Sequence, residues 1–306
     1  MRVLREKIQP PSGHSFRVIR WTRNLREVES VLAPGKVEKI AGEGGHWHYH
    51  VEMELTLFTI GEGTRFVGDH IGSFAAGDLV LLGEKLPHYW HTRGPSAGLS
   101  VQWHFPQSHP FWAFPETLPL AALFKKAGRG LRFTGRTAAA AGSLIQEMAN
   151  TGGAERLGML LRLLAVLMEA PDTDRAFLSV RSFSLPTESH YQQAIREAMR
   201  HLIAHFRDPV RLEEVLLLTN LSRPTFARQF KKHSGHTFSE FLNRLRLQAA
   251  TRELAEGDRS VLEVALACGF SQVSFFNRLF RRLLKCNPTE YRARLRKQAQ
   301  QPGRRG

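Results

Sequence analysis

The stretch Val261–Arg292, "VLEVALACGFSQVSFFNRLFRRLLKCNPTEYR", decides the fold of the last third of the chain. A short apolar segment ends near Gly269, and a basic segment that contains Phe276 and Phe280 follows it. Residues four positions apart share one face of a helix, so these two phenylalanines are predicted to face a core. The stretch therefore predicts two short helices joined by a tight turn, the second with a basic outer face.

The same pattern occurs once more upstream, in Arg211–Arg246, "RLEEVLLLTNLSRPTFARQFKKHSGHTFSEFLNRLR". Val215 then aligns with Val264, and Arg228 aligns with Arg278. An internal repeat of this kind indicates two copies of one structural unit. Each copy predicts a helix-turn-helix, in which the second helix enters the major groove of DNA. An amphipathic helix is predicted to precede them and to complete their packing, with these residues on one face: Ile195, Met199, Leu202, Ile203 and Phe206.

The outward positions of the two second helices are the predicted DNA contacts. They are Arg223, Pro224, Ala227, Arg228 and Lys231 in the first copy, and Val273, Ser274, Asn277, Arg278 and Arg281 in the second. Arg228 and Arg278 are the predicted base readers because they occupy matching positions and arginine can bond a guanine edge twice. Lys231, Lys232, Arg281 and Arg282 are predicted to contact phosphates. Ser222 and Ser271 are predicted to cap the helices.

The positive charge of the chain lies in the same region. The formal net charge is +15, and the part from His190 onward carries 22 Lys and Arg against 10 Asp and Glu, whereas the part before it carries 21 against 18. A basic domain beside a nearly neutral one indicates that one half meets a polyanion. The alternative from charge alone is a basic surface that is merely solvated.

The repeat resembles the signature of the AraC-type transcription regulator family, in which a long helix joins two helix-turn-helix units. The resemblance rests on Ala265, the "GFS" of Gly269–Ser271, Phe276, Arg278, Phe280, Pro288 and the "YR" that ends at Arg292. It implies a non-enzymatic regulator and activator that binds promoter DNA, with RNA polymerase as a partner. Two positions depart from the pattern: Leu216 replaces a small alanine, and Lys285 replaces a glycine that ends the helix, where a left-handed conformation is common.

The first part of the chain has the alternating pattern of β-strands. Between about residues 15 and 105, short runs are separated by glycine turns: "SFRVIRW", "ELTLFTI", "TRFVGD", "DLVLLG" and "LSVQWHF". From Leu118 to Glu169 the spacing becomes helical. It ends in a stripe of Leu157, Leu160, Leu161, Leu164, Leu167 and Met168. The stripe predicts either packing within its own domain or a homodimer contact, and Ala170–His190 reads as a linker.

Two motifs in this first part resemble those of cupin-type sensing domains. The first, "GEGGHWHYHVEMELTLFTIGEG", spans Gly42–Gly63, and alternation on a strand would send His46, His48, His50 and Glu52 to one side. The second, "GDHIGSFAAGDLVLLGEKLPHYW", spans Gly68–Trp90 and departs from the family pattern at Gly83, Lys85 and, just beyond it, Thr92. The resemblance implies that His48, His50, Glu54 and His88 converge inside the barrel.

Two interpretations of this site stay open. Three imidazoles and one carboxylate, from His48, His50, Glu54 and His88, suit a divalent transition metal of unspecified identity. Alternatively, the pocket hydrogen-bonds a small-molecule effector, such as a sugar, without metal, with these ligand-binding residues: His46, His48, His50, Glu54, His88 and Trp90. Trp90 and Trp103 are candidate aromatic walls. A metal-dependent cupin enzyme fused to a DNA-binding domain is the alternative function.

The predicted fold is α+β and multidomain, with a β-barrel of the cupin or jelly-roll kind, appended helices and an all-α C-terminal domain. The predicted domains are a sensing domain at 1–110, a helical segment and linker with a candidate dimer contact at 111–186, and a DNA-binding domain with two helix-turn-helix units at 187–300. The cysteines, Cys268 and Cys286, need no disulfide, and no long apolar segment indicates export or a membrane span. The expected compartment is the cytoplasm.

Overall fold

The computed structural model describes residues 10–42, 44–183, 185 and 191–299. The chain divides into two compact units: Met1–Arg196 with Lys232–Gly235, and Glu197–Lys231 with His236–Gly306. The first unit is mostly antiparallel strands and the second is helical. The predicted α+β class, with an N-terminal β domain and a C-terminal helical domain, is confirmed.

Two antiparallel sheets form the first unit. The strands are β1 Phe16–Trp21, β2 Glu27–Ala33, β3 Lys36–Ala41, β4 Met53–Ile60, β5 Gly63–Val67, β6 His70–Phe74, β7 Leu79–Leu82, β8 His88–Thr92, β9 Ala97–Trp103, β10 Leu131–Phe133 and β11 Arg175–Phe177. The large sheet has the order β11-β10-β7-β4-β9-β1-β2-β3, and the small sheet has the order β6-β5-β8. All five strands predicted from the alternating runs are present.

The strands β4, β7 and β9 of the large sheet are buried on both faces. On β4, Leu55 and Leu57 join a core that also contains the helices of this unit. Phe58 points to the opposite face and packs with Val67 and Trp90 of the small sheet. Successive side chains of a strand point to opposite faces. Glu54 and Thr56 therefore lie on the same inner face as Phe58, between the two sheets.

The appended helices are α1 Leu120–Ala127, α2 Gly135–Met148 and α3 Gly153–Met168, with short 3-10 helices at Pro110–Ala113, Pro115–Thr117 and Asp172–Asp174. The predicted leucine stripe is divided in α3. Leu160, Leu164 and Leu167 are fully buried, whereas Leu157 and Leu161 remain 40% and 41% exposed. Met168 is partly buried against the same core, so packing within the domain accounts for four of the six residues of the stripe.

The predicted linker, Ala170–His190, is wrong in its first part. Arg175–Phe177 forms β11, which pairs with β10 and adds a strand to the edge of the large sheet. The sequence shows no sustained alternation there because only three residues are paired. Residues 184 and 186–190, at the end of the predicted linker, lie outside the described part of the chain.

The described part of the chain from Gln192 onward consists of helices and the turns between them. The helices are α4 Gln192–His205, α5 Leu212–Thr219, α6 Arg223–Ser234, α7 Phe238–Glu256, α8 Val261–Ala267, α9 Val273–Leu284 and α10 Pro288–Ala299. The predicted core residues Phe226, Phe230, Phe276 and Phe280 are all buried, as are Ile195, Met199, Leu202 and Ile203 of α4. The repeat is thus two helix pairs, α5–α6 and α8–α9, joined by α7.

The turns of the two pairs have matching backbone conformations. Asn220 and Gly269 occupy equivalent positions after α5 and α8, and both have positive φ, 51° and 86°. A Cβ on Gly269 would lie 2.7 Å from the carbonyl oxygen of Phe206. Glycine is therefore required there, whereas asparagine, which tolerates this region, suffices in the first copy.

The predicted serine cap of α9 is wrong. The residue at the cap is Gln272, and its side chain makes no capping hydrogen bond. In the first copy the Ser222 hydroxyl bonds the hydroxyl of Thr225. Side-chain caps instead begin α7, α8 and α10, where Thr237, Ser260 and Asn287 each accept a backbone N–H three residues ahead. Among the described residues, no helix is long and apolar enough to cross a membrane.

Candidate functional site

The histidine segment differs from the predicted strand. Residues 44–52 form turns and bends with a single bridge between His48 and His88, and regular pairing begins only at Met53. The prediction that alternation aligns His46, His48, His50 and Glu52 is therefore wrong. Backbone bonds hold the segment instead, because His48 exchanges two N–H···O=C bonds with His88, and the Lys85 N–H donates to the His50 carbonyl.

Three buried imidazoles converge in this region. His48, His50 and His88 each offer one ring nitrogen, and these three atoms lie within 4.8 Å of one another. They come from the irregular segment and from the start of β8, so the small sheet supplies one ligand and the chain before β4 supplies two. The structure brings together the three histidines that the motif resemblance implied.

The other ring nitrogen of each histidine lies at a backbone carbonyl. Nδ1 of His48 is 2.7 Å from the His46 oxygen, Nδ1 of His50 is 3.0 Å from the Glu52 oxygen, and Nδ1 of His88 is 2.8 Å from the Leu86 oxygen. A carbonyl only accepts, so each Nδ1 carries the proton. Nε2 of His48 and of His88 is then the nitrogen with a lone pair for a metal, whereas Nε2 of His50 lies within hydrogen-bond distance of Oε2 of Glu54 and would give up any proton shared with that carboxylate on binding a metal.

Glu54 completes the group from the inner face of β4. Its Oε2 lies 3.1 Å from Nε2 of His50 and 3.9 Å from Nε2 of His88. The same carboxylate accepts hydrogen bonds from Thr56 at 2.5 Å and from Gln102 at 2.7 Å. Glu54 is therefore held in one orientation by neighbours on β4 and β9, as a ligating carboxylate requires.

The surroundings shift the pKa values of His48, His88 and Glu54 toward the metal-binding forms of these three side chains. Burial lowers the pKa of His48 well below its usual value, with the charges of His88 and His50 adding to the effect. Burial likewise lowers the pKa of His88 to about 4, against the opposing charge of Glu54. For Glu54, burial raises the pKa, but the hydrogen bond with His50 and the fields of His88 and His50 outweigh it and hold the pKa well below normal. Neutral imidazoles and an ionised carboxylate are the metal-binding forms.

The residues fit a divalent transition metal. Nε2 of His88 is buried and has no hydrogen-bond partner among the described residues, which is costly unless something else bonds it. Three imidazole nitrogens and one carboxylate oxygen form a donor set shared by manganese, iron, nickel, copper and zinc. His46 lies beside the group, with its ring 5.8 Å from that of His48. Its carbonyl accepts the hydrogen bond from Nδ1 of His48.

The predicted aromatic walls have different positions. Trp90 lies with its ring 5.7 Å from that of His88 and lines the cavity beside the group. Trp103 belongs to the opposite core, where its ring lies 5.9 Å from that of Phe124, so of the two equal alternatives for this residue, wall or core, the structure shows core. Sequence reasoning missed Gln102 and Ser100. The only signal for them was two polar residues at alternate positions of an otherwise apolar strand.

The predicted DNA-contacting residues form two exposed faces. All five in α6 are exposed, and so are Ser274, Arg278 and Arg281 in α9. Val273 and Asn277 are half-buried, because Val273 packs against the core of the second pair. The guanidinium of Arg223 lies 2.6 Å from the carboxylate of Glu213.

Residues 217–294 match the family model described as a helix-turn-helix domain. The C-terminal part of the chain is an AraC-type DNA-binding domain. The segment matched includes α6 to α9, both exposed basic faces and the "GFS" turn. The resemblance of the repeat to this family is confirmed for this part of the chain.

The AraC-type domain also accounts for the similarity to known proteins. The chain is 33% identical over 112 residues to the regulatory protein PocR of Salmonella typhimurium, which is 37% of either chain. It is 40% identical over 98 residues to the transcriptional activator RhaS of an Enterobacter species, covering 32% of this chain and 35% of that protein. An AraC-type transcriptional regulator from Chromobacterium violaceum is 30% identical, with a TM-score of 0.33, over 37% of this chain and 96% of that structure. The chain thus spans little more than a third of the curated relatives it matches.

Proposed function

We propose that this protein is a ligand-responsive, sequence-specific regulator of transcription that binds promoter DNA through α6 and α9. The observation that carries the proposal is the repetition of an exposed basic face, with Arg228 and Arg278 at matching positions of two helix-turn-helix pairs. A protein that merely coats DNA has no need of two such faces. Its similarity to a transcriptional activator supports activation, with RNA polymerase as a partner in the cytoplasm.

The two faces divide the work of recognition. Arg228 and Arg278 are proposed to read bases, since arginine bonds O6 and N7 of guanine together. Lys231, Lys232 and Arg281 are proposed to contact phosphates, which fix the position of the protein without reading sequence. The partial pairing of Arg223 with Glu213 favours a phosphate contact at that position as well.

Selection of bound duplexes from a random DNA library, followed by affinity measurements at fixed salt, tests this proposal. We expect one enriched motif, bound about 10³-fold or more tighter than a scrambled duplex of the same length. Equal affinity for the two duplexes, with steep loss of both as salt increases, would instead show a charge-driven DNA-coating protein.

The first unit is proposed to hold a divalent transition metal on His48, His50, Glu54 and His88. The arrangement of Nδ1 donors, the isolated Nε2 of His88 and the anchored carboxylate support this. A bound metal would supply a Lewis acid that fixes an electron-rich group of an effector. His48, His50 and His88 would orient it, and the closely packed aromatic residues around them would exclude bulk water.

A cavity beside such a metal is also what a cupin enzyme needs, and this observation keeps a metal-dependent enzyme as the second candidate. The regulator is favoured because residues 217–294 match a helix-turn-helix domain, which is of the AraC type. The two are separated by incubating the metal-loaded protein with candidate ligands. Recovery of the unchanged ligand after long incubation with the saturated protein would support a sensor. Catalytic conversion of the ligand would support the enzyme.

A homodimer is the proposed active form. On α3, Leu157 and Leu161 leave two-fifths of their surface exposed, and Phe114 and Leu118 nearby are more than half exposed. An apolar patch of this kind is typical of a contact between subunits. Sedimentation of the full chain tests it: we expect a dimer that becomes monomeric in Leu157→Glu but not in Glu155→Gln. A wild-type monomer at all concentrations would exclude the dimer.

In this proposal the effector acts by binding one arrangement of the protein better than another. A ligand that binds two arrangements equally shifts nothing, however tightly it binds. The effector is therefore expected to change the affinity for promoter DNA, and DNA is expected to change the affinity for the effector by the same factor.

A further inference from the structure

A small cavity lies between the two sheets, beside His48 and Glu54. Its volume is about 40 Å³. Pockets that hold drug-sized molecules are about 300–1,000 Å³, and one water needs roughly 10–15 Å³ of such volume. The cavity therefore has room for about three water-sized groups. A cavity of this volume favours an occupant smaller than a sugar.

The walls of the cavity differ in polarity. One side is polar, with Arg17, Thr56, Ser100 and Gln102 beside His48 and Glu54. The other side is apolar, with Ile19, Trp21, Leu25, Val28, Ile40 and Trp90. A molecule that fits both has a polar or charged end and a short apolar end.

The charges at the polar side favour an anion. A divalent ion on three neutral imidazoles and one carboxylate leaves a net positive charge at the site. The Arg17 guanidinium adds a second positive charge, and it is fixed by two bonds to Oε1 of Gln102, at 3.0 and 2.6 Å. The side-chain amide of Gln102 in turn donates a hydrogen bond to the Glu54 carboxylate. Gln102 therefore links Arg17 to the carboxylate that would hold the metal.

The apolar side contributes hydrogen-bond donors that lack acceptors. The indole N–H groups of Trp21 and Trp90 are buried, and neither has a partner in the described part of the chain. A buried donor without an acceptor costs about 1–3 kcal/mol. Indole nitrogen can only donate, so the missing partner is an acceptor.

We propose that the effector is a carboxylate of two or three carbons, bound in this cavity. Its oxygens accept from Arg17 and the indole N–H groups and face the metal, while its short carbon chain packs against Ile19, Val28 and Ile40. This rests on the proposed ligand-responsive function and names the chemical class of the ligand. It replaces the sugar that the aromatic residues alone indicated, because the cavity is too small for one.

Calorimetry and tryptophan emission of the full-length protein, supplied with Zn²⁺, test this. All five tryptophans lie in the first unit, so their emission reports on it alone. The probes are acetate and pyruvate, the neutral isostere acetamide, and glucose, all at constant ionic strength. We expect both carboxylates to bind and to change the emission, and acetamide to bind about tenfold or more weakly because it lacks the charge.

The variants separate binding from folding. Arg17→Gln is expected to weaken the carboxylates by about tenfold or more, and Trp21→Phe, which keeps the aromatic packing, to weaken them less. Arg23→Gln, an exposed arginine that does not line the cavity, is the matched control and should behave as wild type. Melting temperatures of all variants check that each is folded.

Either of two results would overturn the inference. The first is that glucose binds at the metal site and the carboxylates do not bind. The second is that the affinity for the carboxylates is unchanged in both Arg17→Gln and Trp21→Phe. The same preparations are tested on the selected duplex. Intact DNA binding with no carboxylate binding refutes the inference alone. Lost sequence preference with intact carboxylate binding refutes the proposed function alone.

Discussion

Individual residues in the first unit owe their chemistry to backbone groups nearby. The carbonyls of His46, Glu52 and Leu86 each take one imidazole N–H, and this determines which nitrogen of each ring faces the others. The three residues that carry these carbonyls lie outside the strands. A histidine that is hydrogen-bonded at Nδ1 presents Nε2 in a fixed direction. For this reason the groups that hydrogen-bond a metal ligand affect the affinity for the metal.

The first residue-scale prediction concerns metal content. Protein purified without a histidine tag is expected to carry near-stoichiometric transition metal by elemental analysis, and the double variant His48→Ala, His88→Ala to carry none. His46→Ala is the matched control, because its carbonyl, not its ring, serves the group. Metal absent from wild type, even after dialysis against Fe, Mn, Ni, Cu and Zn, would make the histidines an organic pocket.

The second residue-scale prediction concerns DNA. Arg278→Ala is expected to cost about 1–3 kcal/mol on the selected duplex and to relax the preference at one base pair. Lys232→Ala is expected to weaken all duplexes alike and to reduce the salt slope by about 1. Fluorescence anisotropy with selected and scrambled duplexes distinguishes them. Equal losses on both duplexes for Arg278→Ala would refute its role as a base reader.

Among the elements, α9 ends in an unusual way. Lys285 follows it with φ 57° and ψ 23°, a left-handed conformation, and its N–H bonds the Arg281 carbonyl. The left-handed conformation that is common at this position is therefore adopted by a lysine in place of glycine, and the helix ends at Leu284. A Cβ in this region costs about 1–2 kcal/mol, so the end of the recognition helix stores a small strain.

The element-scale prediction follows from that strain. Lys285→Gly is expected to stabilise the second unit by about 0.5–1 kcal/mol, since the relief exceeds the extra entropy of glycine in the unfolded chain. Arg282→Gly, inside the same helix, is the matched control and should destabilise it by about 1 kcal/mol. Urea unfolding followed by far-UV circular dichroism measures both. A loss of stability in Lys285→Gly would contradict the assignment of strain.

At the scale of the whole molecule, the histidine group and the basic helices lie in different parts of the chain. The histidine group and the cavity lie in the first unit, and the excess positive charge lies from residue 190 onward. Within the second unit, α7 joins the two helix-turn-helix pairs with 19 residues, about 28 Å of helix. A rigid connection of this length fixes the spacing between the two reading faces.

That spacing gives the whole-molecule prediction. The two faces are expected to meet successive major-groove segments about 34 Å apart, one helical turn of DNA. Inserting five base pairs between the two half-motifs rotates one by about half a turn, so binding should fall to the level of scrambled DNA. The isolated half-motifs, tested separately, show whether each helix contributes. Unchanged affinity after the insertion would mean that one pair binds alone.

Local sequence determined much of the second unit. Val264, Phe276 and Phe280 are buried and Arg278 is exposed, as helical spacing alone predicts. The reason is that each helix-turn-helix is a short-range structure, whose faces follow from residues three and four apart. The serine cap of α9 failed because capping depends on the backbone angle at one residue, which spacing does not define.

Tertiary structure decided which side chains meet in the first unit. Glu54 and Gln102 are 48 residues apart in sequence, and His88 joins them from the other sheet, so no local pattern shows that Arg17 reaches the same carboxylate through Gln102. The cavity volume follows from how two sheets pack, and it supports the proposal of a ligand smaller than the sugar that aromatic composition alone allowed. Sequence determines which groups are present, and long-range packing determines which groups meet and how much space lies between them.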